Sequence, residues 1–251
     1  MAHKNMAHKI LRVSFYHWLR RWTLPTASLL AALCLGGAFY LAFFSSPLDY
    51  QQKETVRIMY VHVPASWLAM MIYGFMGLCA IGGFIWRHSL AFVYARAAAP
   101  IGLSFAMISL VTGSIWGKPM WGTWWVWDAR LTSMLVLAFL YLGYMLFVQA
   151  FSGQEKASRM GAFLLILGLI NLPIIKYSVE WWSTLHQPAS VFKTGGSSID
   201  AAMLWPLGLA AVGFLLFGYV LGLLRVETLL LVQKLKRQMI LESRKELYHA
   251  A

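Results

Sequence analysis

The chain has 251 residues, of which 60% are hydrophobic and only 12% charged, and its net charge is +12. That composition excludes an ordinary water-soluble domain and points to a chain that lives in a bilayer. The basic excess calls for no nucleic acid, because its distribution along the chain assigns it to a membrane surface, with anionic membrane lipid as its counterpart.

Charged residues leave six apolar stretches, at 24–44, 63–86, 95–115, 131–151, 160–176 and 203–224, each near the ~20 residues that cross a bilayer. The expected fold class is an all-α integral membrane protein, a single domain over 1–251 with six transmembrane helices and both termini on one side. Orientation follows from lysine and arginine. Fifteen of the 21 fall on the side of the termini; only Lys53, Arg57, Lys118, Arg130, Lys176 and Lys193 fall on the other. The segment 1–23 and the tail 225–251 are therefore expected in the cytoplasm. Loops at 45–62, 116–130 and 177–202 are expected outside.

The near-repeat of Met1-Ala2-His3-Lys4 and Met6-Ala7-His8-Lys9 matches no compact metal site and reads as a solvated basic flank. The uncharged run 22–48 exceeds the length of a secretory h-region, so the first span is read as retained. Cys34 and Cys79 sit deep in apolar runs and read as small packing residues rather than a redox pair. His62 opens the second span, with Pro64 placed to suit the first helical turn. Gly74, Gly77, Gly82 and Gly83 give that span a face for close packing. His88 sits among Arg87 and Arg96 at the inner turn and reads as facing solvent. In the fifth span, Asn171-Leu172-Pro173 predicts a kink, since proline frees a backbone carbonyl. The third outer loop carries Trp181, Trp182 and His186-Gln187-Pro188. Its far half, 193–198, is rich in glycine and serine and reads as mobile.

The densest chemistry lies between the third and fourth spans. Residues 116–130 hold Trp116, Trp121, Trp124, Trp125 and Trp127 together with Lys118, Asp128 and Arg130. One or two tryptophans at this depth would be interfacial anchors. Five exceed what anchoring needs, and each buried indole N–H requires a partner. If residues 120–128 coil into a short helix, Trp121, Trp125 and Asp128 share one face and build a wide, flat aromatic surface. Asp128 has two readings: an N-cap for the next helix, or a group that orients the platform, a ligand or a partner.

The run Trp-Gly-Thr-Trp-Trp-Val-Trp-Asp-Ala-Arg resembles the tryptophan-rich "WWD" signature of the haem-handling membrane proteins of cytochrome c maturation, and within them the CcmC branch. Tyr60-Val61-His62-Val63-Pro64 before it and Tyr177-Ser178-Val179-Glu180-Trp181-Trp182 through His186 after it extend the likeness along nearly the whole chain. The resemblance implies a bacterial inner-membrane protein that binds haem b non-covalently and transiently at its periplasmic surface. His62 and His186 would be the axial iron ligands. It also implies partners: a periplasmic haem chaperone (CcmE-like) that receives haem, ABC transporter subunits (CcmA/CcmB-like) and a small membrane subunit (CcmD-like).

The residues read separately agree with that expectation. Of the seven histidines, only His62 and His186 fall outside, where two imidazoles and aromatic walls suit a six-coordinate haem. Arg57, Lys118 and Arg130 are cations within reach of propionates. The sequence has no ATP-binding loop, no nucleophile constellation and no Cys-x-x-Cys-His attachment site, so presentation of haem is expected rather than conventional enzymology. The alternative is a permease that passes haem through the helix bundle. The spans carry few polar residues to line such a path.

Overall fold

The computed structural model describes residues 13–86, 88–151, 154–182, 184–186, 190–191 and 196–250. The His3 and His8 repeat, Arg87, Gln187, Pro188 and the stretch 193–195 lie outside the described residues.

Helix α1 (Val13–Tyr40) ends in a π-helical turn (Leu41–Ser45). A 3₁₀ turn (Glu54–Ile58) leads into α2 (Met59–Trp86), followed by α3 (Ser89–Trp121), α4 (Ala129–Ala150), α5 (Gln154–Gly168), α6 (Asn171–Trp181) and α7 (Ala201–Ala250). Together α5 and α6 make one crossing, so six helical spans are long and apolar enough for a bilayer. The chain is an all-α, multi-pass membrane protein, as its hydropathy predicts. Alternation of the spans brings the connections 46–53, 122–128 and 182–200 to one end of the bundle, here the tryptophan end.

Several boundaries depart from the hydropathy reading, because helix formation outruns apolarity at both ends of a span. Helix α2 already begins at Met59, so Pro64 lies beyond the first turn. Helix α3 runs on through Pro119 to Trp121, shrinking the expected 116–130 loop to 122–128. His88 is half-buried as the N-terminal flanking residue of α3, rather than turned to solvent. Beyond its span, α7 carries on without a break into the basic, helix-favouring tail, making one helix of 50 residues in all.

Pro173 acts as its position predicts. It can make no hydrogen bond back to Leu169, and the helix breaks at Leu169–Ile170 between α5 and α6. The Asn171 side-chain amide, buried at that break, donates to the carbonyl of Ser133 on α4 at 2.9 Å.

Helix α2 packs most extensively on α3, and α1 on α7. The α2–α3 seam is lined by Ala65, Ala69, Ala80, Ala95, Ala99 and Ala106, all fully buried, which lets the backbones approach closely. Tyr73 and Tyr141 cross edge to face at 5.1 Å in the middle of the core. The Tyr141 hydroxyl donates to the carbonyl of Ala69 at 2.7 Å and ties α4 to α2. Below, Tyr16 donates to the carbonyl of Leu223, while His17 and Arg20 face Glu227 at 3.5 and 3.7 Å, joining α1 to α7.

Candidate functional site

Helix α3 carries one wall of the tryptophan end. It stops at Gly122, whose φ of +76° only glycine adopts without strain. Five residues earlier, Gly117 is buried; a Cβ there would stand 2.9 Å from the Trp121 ring, so its absence lets that indole fold back along the helix. After Gly122 the backbone is irregular up to Asp128, which caps α4. The short helix over 120–128 considered from sequence does not form, because the left-handed turn at Gly122 ends α3 first.

The rings consequently do not make one flat sheet. Trp125 and Trp127 meet edge to face at 5.4 Å and 77°, Trp181 and Trp182 at 5.7 Å and 72°. Trp181 also stacks on Tyr177 at 5.5 Å and 27°. Trp124, Trp127, Trp181 and Trp182 are exposed, whereas Trp116, Trp121 and Trp125 are half-buried. Edge-to-face pairs in contact present ring faces in different directions, so the surface is stepped rather than flat.

His62 sits in the first turn of α2 against α3. Its Nδ1 lies 3.1 Å from the Ser109 carbonyl and 3.1 Å from the Thr112 hydroxyl. The carbonyl can only accept, and the Thr112 proton is already donated to the carbonyl of Ile108 at 2.6 Å. A neutral His62 therefore carries its proton on Nδ1, and the lone pair sits on Nε2. Trp116 closes over the ring edge to face at 5.6 Å and donates its own N–H to Gln52 Oε1 at 2.9 Å. Trp116 is thus a cover for His62 more than a member of the exposed aromatic surface.

His186 comes from the third connection. Its Nδ1 is 3.3 Å from Asp128 Oδ2, and its ring meets Trp121 edge to face at 4.9 Å. The other carboxylate oxygen, Oδ1, accepts the Leu131 N–H at 2.7 Å and caps α4. The capping reading of Asp128 is realised on Oδ1, while Oδ2 goes to His186 rather than to a tryptophan. Asp128 is buried, which by itself raises a carboxyl pKa, but hydrogen bonds from His186 and from the Leu131 and Leu185 N–H groups hold it below the ordinary value. Trp116 and Trp121 are five residues apart, about 7.5 Å of helix rise. The two histidines therefore flank the same end of α3, near enough to interact electrostatically.

The cations are placed unequally. Arg130 lies close enough to His62 to be felt electrostatically, and is braced by Ser178 Oγ at 3.1 Å and the Lys176 carbonyl at 3.2 Å. Lys118 donates to the Gly122 carbonyl at 3.0 Å and lies 5.9 Å from the Trp124 ring centre. Arg57 pairs with Glu54 at 2.6 Å and donates to the Ala42 carbonyl, so much of its capacity is committed. It lines a cleft of about 650 Å³ with Phe43, Ile58, Val61 and Thr112, next to the seat of His62.

The residues fit a flat, iron-bearing group. Both imidazoles have Nδ1 turned to oxygen acceptors, the arrangement that leaves Nε2 for a metal. The Trp125 Nε1–H and the Thr184 hydroxyl are buried without a hydrogen-bond partner among the described residues, two polar groups that a bound molecule would satisfy. Sequence reasoning missed Gln52, Ser109, Thr112 and Thr184. A signal was available: Ser109, Thr112, Gly113 and Trp116 follow i, i+3, i+4, i+7 spacing, and polar residues in an apolar span invite a functional reading.

Comparison with known proteins identifies the family. The family model "Heme exporter protein C" matches residues 6–241. A "Heme exporter protein C" from Bradyrhizobium diazoefficiens is 48% identical over 198 residues, covering 79% of this chain and 75% of the relative. One from Escherichia coli K12 is 45% identical over 221 residues, covering 88% and 89%. A "Putative cytochrome c biosynthesis ccmC-like mitochondrial protein" from Marchantia polymorpha is 44% identical over 194 residues, covering 77% and 82%. With nearly all of its length inside the family model, the chain belongs to the CcmC, or heme exporter protein C, family.

Proposed function

We propose that this protein binds haem at its tryptophan end and presents it there to a periplasmic haem chaperone for cytochrome c biogenesis. Membership of the heme exporter protein C family supports haem handling in cytochrome c maturation. The observation that carries the finer reading is the pair His62 and His186. They come from opposite halves of the chain, yet flank one end of α3 with Nδ1 on oxygen acceptors and Nε2 available.

Haem is the cargo, and it brings an iron that takes two axial nitrogens. The chain's own residues supply the rest. Ser109 and Thr112 fix the tautomer and direction of His62, and Asp128 does so for His186. Trp121 and Trp125 wall the space between the connections; Trp124, Trp127, Trp181 and Trp182 form the exposed rim through which a planar molecule leaves. Arg130 and Lys118 are the cations best placed for carboxylates at that rim, and Arg57 serves the cleft beside it. The tryptophan end faces the periplasm of the bacterial inner membrane by the positive-inside distribution. The chaperone docks on the exposed rim, and ABC transporter subunits and a small membrane subunit pack against the spans. The protein holds and releases, while the acceptor provides the group that reacts.

Visible spectroscopy of the purified protein tests this reading. His62→Gly and His186→Gly should each lose the low-spin six-coordinate signature, and added imidazole should restore it by occupying the vacancy. His88→Gly, at the opposite end, should leave the spectrum unchanged. Native spectra in both outer variants without imidazole would place the ligands elsewhere.

A further inference from the structure

One carboxylate at this end does two jobs on two different elements. Asp128 Oδ1 holds the first turn of α4 through the Leu131 N–H at 2.7 Å. Its Oδ2 faces His186 Nδ1 at 3.3 Å. The side chain is buried with 5% exposure, beside a histidine at 19%. His186 itself belongs to no helix. Among the described residues, the grip on it comes from Asp128, with a ring contact from Trp121. His62 differs: it is built into α2 and gripped by a neutral carbonyl and a neutral hydroxyl of α3.

We infer that Asp128 is the positioning residue of His186: its Oδ2 holds the imidazole as the Nδ1–H tautomer, aims Nε2 into the site and fastens the third connection to the N-terminus of α4. This rests on the proposed ligand role of His186 and adds an unequal pair to it. His62 sits in a neutral, helix-borne seat. His186 has an anionic, loop-borne one whose carboxylate increases the electron-donating power of the ring. The cap and the ligand seat share a side chain, so the start of α4 and the position of His186 are set together.

The experiment separates the two oxygens. Asp128→Asn and Asp128→Ser both keep an oxygen able to accept the Leu131 N–H, so the cap survives. Neither supplies the anion opposite His186. The expected result is normal accumulation in the membrane with a spectrum like that of His186→Gly, restored by imidazole. Haem retention against a competing apo-protein should fall about 10–100-fold, the usual effect of removing the partner of a metal-bound histidine. Where six-coordinate haem persists, its reduction potential should rise, because an anion near the iron favours the oxidised form. In a His186→Gly background, adding Asp128→Asn should change nothing further in the spectrum.

A wild-type spectrum and potential in Asp128→Asn and Asp128→Ser, with His186→Gly altered, would reduce Asp128 to a helix cap and overturn the inference alone. If His62→Gly and His186→Gly themselves keep native spectra, the ligand reading fails instead. Failure of both cap-preserving variants to accumulate, while His186→Gly accumulates, would also overturn it, since the carboxylate would then serve the fold and not the histidine. So would a further spectral change in the double variant.

Discussion

Gly113 offers a test of the His62 seat that replaces neither the histidine nor its hydrogen-bond partners. A Cβ at this position would lie 3.1 Å from His62 Cε1 and 3.6 Å from Nδ1. Ordinary contact begins at 3.4 Å, so Gly113→Ala pushes the ring by about 0.3 Å, away from α3. Both acceptors of Nδ1 belong to α3, and both bonds are already 3.1 Å long. A push in that direction stretches them to about 3.4 Å, beyond the ~3.2 Å limit of a good N–H···O bond. Since Cε1 joins the two ring nitrogens, Nε2 moves as well. The expected outcome is about tenfold weaker haem retention, near 1.4 kcal/mol, at the lower end of losses seen when a ligand's support is damaged. Accumulation should be undiminished, because replacing glycine by alanine within a helix stabilises it by about 0.5–1 kcal/mol. Gly143 is the control: its Cβ would meet nothing within 4 Å, so Gly143→Ala gains the same helix term without touching the site. The assay is the visible spectrum and the rate of haem loss to apo-myoglobin, for both variants in the same detergent. A Gly113→Ala protein that keeps haem as tightly as Gly143→Ala would show that the position of His62 against α3 does not set haem binding.

Three other outcomes follow from the same picture. Cys34 and Cys79, both unpaired and half-buried in spans, should be replaceable by alanine or serine with little change in haem transfer; loss of transfer at normal membrane levels would reveal a thiol role. Single changes of Trp121, Trp124, Trp125 or Trp127 to phenylalanine should be mild, whereas leucine at several of them should weaken haem retention or transfer, and unaltered transfer in a stable multiple variant would return these residues to the role of interfacial anchors. Reporters active on one side only should place Gly153 in the cytoplasm and Gly195 outside, and reversed signals would undo the periplasmic assignment.

Much of the architecture was legible from the spacing of charges. Six apolar stretches specify six crossings whatever their packing, because a bilayer admits backbone only as closed helices or barrels. Pro173 marked the break in the fifth span, since its missing N–H acts on the backbone locally and without help from neighbours. The helix ends were less legible. Trp116 to Trp121 look like loop by their glycine, lysine and proline, yet they complete α3 as far as the left-handed turn at Gly122. His62, Asp128 and His186 stood out by residue type. Their pairing could not, since the hydrogen bond between Asp128 and His186 spans 58 positions and no periodicity reaches across a loop. Ser109 and Thr112 looked like ordinary small polar residues of a span until α2 set a histidine against them.

The break below α6 has a mechanical consequence. Asn171–Trp181 is an arm of 11 residues, about 16 Å long, hinged at Leu169–Ile170 and leading at its free end toward His186. A tilt of about 5° at the hinge moves that end by about 1.4 Å, several times the ~0.2 Å tolerance that the proposed ligand role of His186 would impose. Arg130 spans the gap near the top, reaching from α4 to Ser178 and to the Lys176 carbonyl on the arm. It works as a stay on a mast: two modest hydrogen bonds, applied far from the pivot, resist angular play with the greatest leverage. The direction of α6 is thus steadied by a residue on another helix, some 50 positions earlier in the chain.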